Sequence, residues 1–274
     1  MTIKKLAVVI PTFNRKEVTR NLVTNLLMGT FDNLSIIICD SNSSDGTRDE
    51  FTDHPFISVI NVGEESWWTG SVNKGIELAL RGDYEFVLVL NDDIDIPKNL
   101  VQVLLNKAAL NPGKIISPVQ GKFFGIIYQG ILKLPIFARL EGINDQVTVS
   151  SSNGCCLLIP TYIFAETGLF DDVRCPHLYG DTEFQLRASN YGHSTVVTAK
   201  AMITQHEPTD YYCKVRICDL FTFKGSPAPL FAYLAFGHTL FQGWIKFFIF
   251  GVYHHYMFLR TLAKTLYLII ARNK

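Results

Sequence analysis

Apolar runs alternate with amphipathic stretches through the first ninety or so residues. Leu6 to Ile10 is an unbroken apolar run, followed by Pro11-Thr12-Phe13-Asn14-Arg15 and an amphipathic helix through about Met28. Leu34 to Cys39 is a second run that ends at Asp40, and the polar turn Ser41-Asn42-Ser43-Ser44-Asp45-Gly46-Thr47 opens another helix. A short third strand, Ile57 to Asn61, precedes Trp67-Trp68-Thr69-Gly70-Ser71-Val72-Asn73-Lys74-Gly75-Ile76 and a helix to Arg81. Phe86 to Leu90 is the fourth run. Continuous apolar runs of this length read as strands covered on both faces. Strands alternating with helices imply an α/β fold with a parallel sheet and right-handed crossovers. No G-x-G-x-x-G follows the first strand, so the dinucleotide fingerprint is absent.

The fourth run releases a knot of acids, Asn91-Asp92-Asp93-Ile94-Asp95. In open α/β sheets the C-terminal ends of strands are where ligands bind. Clustered carboxylates there suit a hard divalent cation such as Mg²⁺ or Mn²⁺, which in turn holds phosphate oxygens. The alternative is an acidic turn before the next helix, with Asp95 standing two residues ahead of Pro97.

The ordered segments Val9-Ile10-Pro11-Thr12-Phe13-Asn14-Arg15, Cys39 to Thr47, Asn73-Lys74-Gly75-Ile76 and Leu90-Asn91-Asp92-Asp93 resemble the motifs of family 2 glycosyltransferases. In the second half, Asn153-Gly154-Cys155-Cys156-Leu157-Leu158-Ile159 resembles that family's glycine-led strand. Gly168-Leu169-Phe170-Asp171-Asp172 resembles its G-x-F-D turn, and Tyr179-Gly180-Asp181-Thr182-Glu183-Phe184-Gln185-Leu186-Arg187 its acidic catalytic helix. The resemblance covers about residues 4 to 207. It implies a GT-A fold, Rossmann-like with a mostly parallel sheet and flanking helices, and an inverting, metal-dependent transfer from a nucleotide-diphosphate sugar. Three positions depart from the usual pattern: Gly180 precedes Asp181 in place of Glu, Asn91 stands for the first Asp, and Trp67-Trp68-Thr69 replaces a glycine-rich segment.

The implied division is a catalytic domain over 1–210, with a nucleotide-sugar half at 1–95 and an acceptor half at 96–210, followed by a C-terminal helical segment at 211–274. Hydrophobic residues make up 48% of the 274, with 20 Phe and 11 Tyr, which excludes disorder. The six Cys (39, 155, 156, 175, 213 and 218) form no C-x-x-C pair, so reduced core thiols are favoured over zinc or disulfides. Met1 to Lys5 runs directly into the first strand, leaving no room for a signal peptide and pointing to the cytoplasm.

The zero net charge hides an asymmetry. Leu220 to Lys274 holds no acid and six bases, Lys224, Lys246, Arg260, Lys264, Arg272 and Lys274, among dense aromatic and aliphatic residues. The 21 residues Gly225 to Ile245 lack charge, yet Pro227, Pro229, Gly237 and Gly243 make poor material for a spanning helix. On a helix over 244–270, Lys246, Arg260 and Lys264 fall within roughly 40° of one another. That stripe beside an apolar face reads as an interfacial helix on anionic lipid, on the inner face of the cell membrane. A homodimer helix, or one packed on the catalytic domain, is the alternative. Bases embedded in apolar sequence exclude a nucleic-acid surface.

Roles follow for named residues. The resemblance implies Asp181 as the base that takes the acceptor proton, with Glu183 secondary, and Asp93 with His206 as metal ligands. Pro11, Thr12, Phe13 and Asn14 end the first strand and Asp40 the second, giving a crevice for base and ribose that suits uracil or thymine. Trp68, Gly70, Asn73 and Lys74 join Asp92 as donor contacts, with Trp67 and Trp68 placed in a loop where they either stack on sugar or base or staple that loop. Asn153, Gly154, His177 and Tyr179 are the acceptor candidates. The expected reaction uses a UDP- or dTDP-sugar and a glycan acceptor, lipid-linked, in cell-surface polysaccharide synthesis. A protein or soluble-glycan acceptor, or a non-catalytic sugar-nucleotide-binding homologue, are the alternatives.

Overall fold

The computed structural model describes residues 5–121, 123–129, 134–139 and 145–206, with isolated positions at 252, 259 and 263. The expected segment at 211–274, its basic stripe and its membrane or dimer role therefore lie outside the described residues. Among the described residues, no helix is long and apolar enough to cross a membrane.

The first half follows the alternation read from the sequence. It runs β1 (Leu6–Thr12), α1 (Lys16–Leu27), β2 (Leu34–Asp40), α2 (Thr47–Phe51), β3 (Ile57–Asn61), α3 (Trp67–Leu80) and β4 (Phe86–Leu90). β1 pairs in parallel with β2 and β4, and β2 with β3. Then come β5 (Ile94–Asp95), α4 (Leu100–Leu110), β6 (Ile115–Gln120), β7 (Phe123–Gln129), β8 (Leu134–Arg139), β9 (Gln146–Val149), β10 (Cys156–Pro160), α5 (Thr161–Thr167), α6 (Gly180–Asn190) and β11 (Thr195–Gln205).

The expectation of a mostly parallel sheet is corrected here. The strand order is β3-β2-β1-β4-β10-β6-β11-β5, and β10 runs antiparallel to both β4 and β6 while β11 is parallel to β6. β7, β8 and β9 add antiparallel pairs. Connection length accounts for the β6–β7 pair. Only two residues separate β6 from β7, enough for a hairpin but not for the crossover a parallel pair needs. The result is a mixed α/β sheet with helices on both faces, as the GT-A expectation requires.

Side chains of β1 sort the two cores by their alternation. Leu6, Val8 and Ile10 pack with Leu22 and Leu26 of α1 and Leu104 of α4. Ala7 and Val9 pack with Val72 and Ile76 of α3, Phe164 of α5 and Phe184 of α6. The approach of α3 is close: a Cβ on Gly75 would lie 2.4 Å from Val9 Cγ1 and 2.6 Å from Cys39 Sγ. Any side chain there would lift the helix off the sheet. Cys39, Cys155 and Cys156 are buried free thiols, and burial pushes the Cys39 thiol up to about 12.

Candidate active site

The C-terminal ends of β1 and β4 bring the acidic knot against the Arg15 segment. Asp92 is buried and turned inward, not toward the cleft. Its Oδ2 accepts from Thr12 Oγ1 at 2.9 Å and Thr19 Oγ1 at 3.3 Å, and its Oδ1 from Arg15 Nη1 at 2.8 Å. Burial pushes its carboxyl up, while Arg15 and Thr12 pull it down; burial prevails. Asp92 thus braces β4 against β1 and α1, and the expected sugar contact through its carboxylate is not what the structure shows.

Asp93 turns the other way. It lines a cleft of about 360 Å³ with Arg15, Trp68, Asn91, Asn153, Gly154, His177, Tyr179, Asp181 and Gln205. Its carboxylate lies 3.3 Å from Arg15 Nη1 and 3.4 Å from Gln205 Nε2, and Gln205 is itself oriented by Gln120 at 2.9 Å. The backbone N–H of His206 donates to the Asp93 carbonyl at 2.9 Å, fastening the end of β11 beside the acidic turn. The His206 ring points to Asp95, with Nε2 3.0 Å from Oδ2, and both side chains are exposed.

Among the described residues, no three His, Cys, Asp or Glu side chains converge as a preformed metal cage. The donor chemistry nonetheless fits Mg²⁺ or Mn²⁺. Such ions take one or two protein ligands and complete their shell with substrate phosphates and water. Asp93 supplies a hard carboxylate at the cleft wall, and His206 an imidazole tied to it through the backbone.

Across the cleft, Asp181 sits in the first turn of α6, after Tyr179 in the left-handed region at φ +65. Its Oδ2 accepts from Gly154 N–H at 2.7 Å. Burial holds its carboxyl above the ordinary carboxylate range and outweighs the N–H donors of Thr182 and Gly154. A raised carboxyl pKa makes the ionised form a stronger proton acceptor than an ordinary surface carboxylate.

Three buried networks hold it. Gln185 Oε1 accepts from Ser152 N–H at 2.8 Å, Ser152 Oγ at 3.1 Å and Thr195 Oγ1 at 2.9 Å, while its Nε2 donates to the carbonyls of Ser152 and Asp181. That clamp fixes the 152–154 segment to α6. Arg187 joins buried Glu183 at 2.9 Å and donates to the carbonyls of Thr167 and Leu169. Phe170 stacks on Phe184 at 4.3 Å, and Asn73 bonds both backbone groups of Phe170. Glu183, the secondary base candidate, is fully buried in its ion pair, and the structure gives it a positioning part instead.

The remaining candidates fall into two groups. Asn153, Gly154, His177 and Tyr179 line the cleft, as does Trp68, whose indole N–H donates to Asn91 Oδ1 at 2.8 Å. Trp67 and Trp68 open α3 in place of the expected loop; Trp67 has φ +51, and Trp68 meets Phe170 edge-on. His177 packs 5.6 Å from Trp67, and burial together with the Arg15 charge brings its imidazole down to about 4, so it is neutral.

Pro11, Thr12, Phe13, Asn14, Asp40, Gly70, Asn73 and Lys74 stand outside that cleft lining. Pro11 pairs with Cys39, and Thr12 with Asp40, at the C-terminal ends of β1 and β2. Asp40 is buried and accepts from Ser43 N–H at 3.2 Å, and Asn14 accepts from Ser44 N–H at 2.8 Å. Phe13 is half exposed beside them. Gly70 lies 3.6 Å, at its notional Cβ, from Asp172 Oδ2, and Lys74 is exposed on α3, 3.8 Å from Glu77. Sequence reasoning passed over Arg15 and Gln205. Arg15 closes the first motif run and so carried a signal, whereas Gln205 had none beyond a strand end.

Residues 7–167 match the family model described as Glycosyl transferase family 2. The chain belongs to that family. It is similar to the GalNAc(5)-diNAcBac-PP-undecaprenol beta-1,3-glucosyltransferase of Campylobacter jejuni, at 30% identity over 38% of this chain and 34% of that protein. It is also similar to a low-salt glycan biosynthesis hexosyltransferase of Haloferax volcanii, at 26% identity over 71% of this chain and 66% of that one. The matched regions thus span about a third and just under two thirds of those relatives. Among solved structures, GalNAc-T7 with UDP, GalNAc and Mn²⁺ superposes with a TM-score of 0.67 at 10% identity, over 87% of this chain and 48% of that one. S. aureus TarS follows at 0.59 and 13%, over 86% and 81%. At those identities the likeness is one of fold.

Proposed function

We propose that this member of the family is an inverting glycosyltransferase, moving a sugar from a UDP- or dTDP-sugar to a glycan hydroxyl. One observation carries the reading: Asp93 and Asp181 face one cleft at the ligand-binding ends of the strands, and burial lifts the Asp181 carboxyl above the ordinary carboxylate range. The acceptor oxygen bonds to the anomeric carbon as that carbon's bond to the diphosphate oxygen breaks, and the hydroxyl proton passes to Asp181. Gly154 N–H fixes Oδ2, and Oδ1, met by the Thr182 hydroxyl at 3.4 Å, keeps a lone pair to receive the proton. A divalent cation held by Asp93 and His206 would supply Lewis-acid neutralisation of the leaving diphosphate. Arg15, Trp68 and Gln205 shape the donor side, and His177, Tyr179 and Asn153 the acceptor side.

The undecaprenol-linked acceptor in the name of the Campylobacter relative supports a lipid-linked glycan acceptor here, and with it cell-surface polysaccharide assembly at the cytoplasmic face of a membrane. A thermal-shift screen of nucleotide sugars with Mn²⁺ tests the donor class. One UDP- or dTDP-sugar should raise the melting temperature in proportion to its concentration. Stabilisation by no nucleotide sugar, with or without the ion, contradicts the reading.

A further inference from the structure

Among the described residues lining the cleft, Arg15 is the only lysine or arginine. Its neighbours there include the carboxylates Asp93 and Asp181, and Asp92 lies just behind. A diphosphate entering such a cleft brings further negative charge and needs cationic partners. One nitrogen, Nη1, carries both carboxylate contacts of Arg15, and they are unequal: 2.8 Å to Asp92 and 3.3 Å to Asp93. Asp92 is buried and also held by Thr12 and Thr19, so that end is fixed. Asp93 borders the open cleft, and the Arg15 side chain is 44% exposed. A guanidinium has five N–H donors, so its remaining edge can meet phosphate oxygens without leaving Asp92.

Building on the proposed function, we propose that Arg15 exchanges partners: it neutralises Asp93 while the donor site is empty, and contacts the donor diphosphate when the site fills. The two parts have opposite consequences. In the empty site Arg15 competes with a divalent cation for Asp93, because like charges so near one carboxylate repel. In the filled site it adds a charge-assisted hydrogen bond to phosphate. A residue that only braced the loop would shift both affinities the same way.

The test titrates wild type, Arg15→Gln and Arg15→Lys with Mn²⁺ alone, then with UDP and dTDP against uridine and thymidine, with and without EDTA. Arg15→Gln should bind Mn²⁺ alone several-fold more tightly. It should also lose about tenfold or more of the preference for the diphosphate over its nucleoside, in EDTA as well, the scale of one charged hydrogen bond. Arg15→Lys, which keeps the charge and tests the site if the Gln variant folds poorly, should recover part of both effects. Mn²⁺ and diphosphate affinities that fall together, or that both stay unchanged, overturn the exchange. A wild type that binds neither UDP nor dTDP above its nucleoside removes the proposed function itself, and this inference with it.

Discussion

The backbone N–H of Gly154 donates to Oδ2 of Asp181 at 2.7 Å, and a Cβ on Gly154 would lie 2.5 Å from the Asp181 Cβ and 2.7 Å from that same oxygen. The segment entering β10 thus serves as the backstop of the proposed base, and only glycine leaves room for the contact. Gly154→Ala should push Asp181 aside. Overpacking of this kind costs about 1–3 kcal/mol, so the fold should survive with turnover lost. Circular dichroism with a transfer assay checks this; an active Gly154→Ala protein would show that the contact is incidental.

The clamp behind that contact gives a second expectation. Gln185→Leu leaves Ser152 N–H and the Thr195 hydroxyl without their buried acceptor. Each such loss costs about 1–3 kcal/mol, so denaturant unfolding should show a drop of at least about 2 kcal/mol. Turnover should fall further than nucleotide affinity, since the clamp orients α6 and not the donor strands. Equal losses in both would show that Gln185 supports the whole domain rather than the base.

Asp181 also ties activity to pH and stability. Its carboxyl is raised by burial, so the folded chain keeps that proton to higher pH than the unfolded chain does. Stability is therefore lost as pH rises through this window. Asp181→Asn cannot ionise and still accepts from Gly154, so it should melt above wild type at about pH 8, with the gap closing as pH falls and the wild-type carboxyl takes up its proton. Transfer by wild type should move oppositely, failing as pH falls through the raised pKa, because the base must be ionised. A wild type more stable than Asp181→Asn at about pH 8 would contradict the burial argument.

Phe170 offers a stability test away from the chemistry. It is 3% exposed, stacked on Phe184 and bonded through its backbone to Asn73. Phe170→Ala should cost about 3–5 kcal/mol by chemical denaturation. A loss below about 1 kcal/mol would mean that the turn beneath α6 repacks freely.

Much of this was legible in the chain because period and position carry it. The apolar runs at Leu6, Leu34, Ile57 and Phe86 are long enough to mark buried strands, and their acidic or polar exits mark the ligand edge. The antiparallel β10 was not legible, since an apolar run holds no record of its direction. Asp92 and Asp93 stand in the turn between β4 and β5, and which one enters the cleft depends on Thr12, Thr19 and Arg15, brought from a remote run. Asn73 reads as a motif residue, yet its amide is spent on Phe170, nearly a hundred positions away. Trp68 was expected in a loop and instead opens α3, where its N–H orients Asn91.

The most direct test of the proposed transferase site compares wild type with Asp181→Asn, using whichever nucleotide sugar stabilises the protein and a lipid-linked glycan acceptor. Donor dissociation constants and single-turnover rates are measured on both. The account predicts donor affinity near wild type with the transfer rate down by about 10²–10⁴, the range for a lost general base. An Asp181→Asn protein that transfers sugar at the wild-type rate would contradict it.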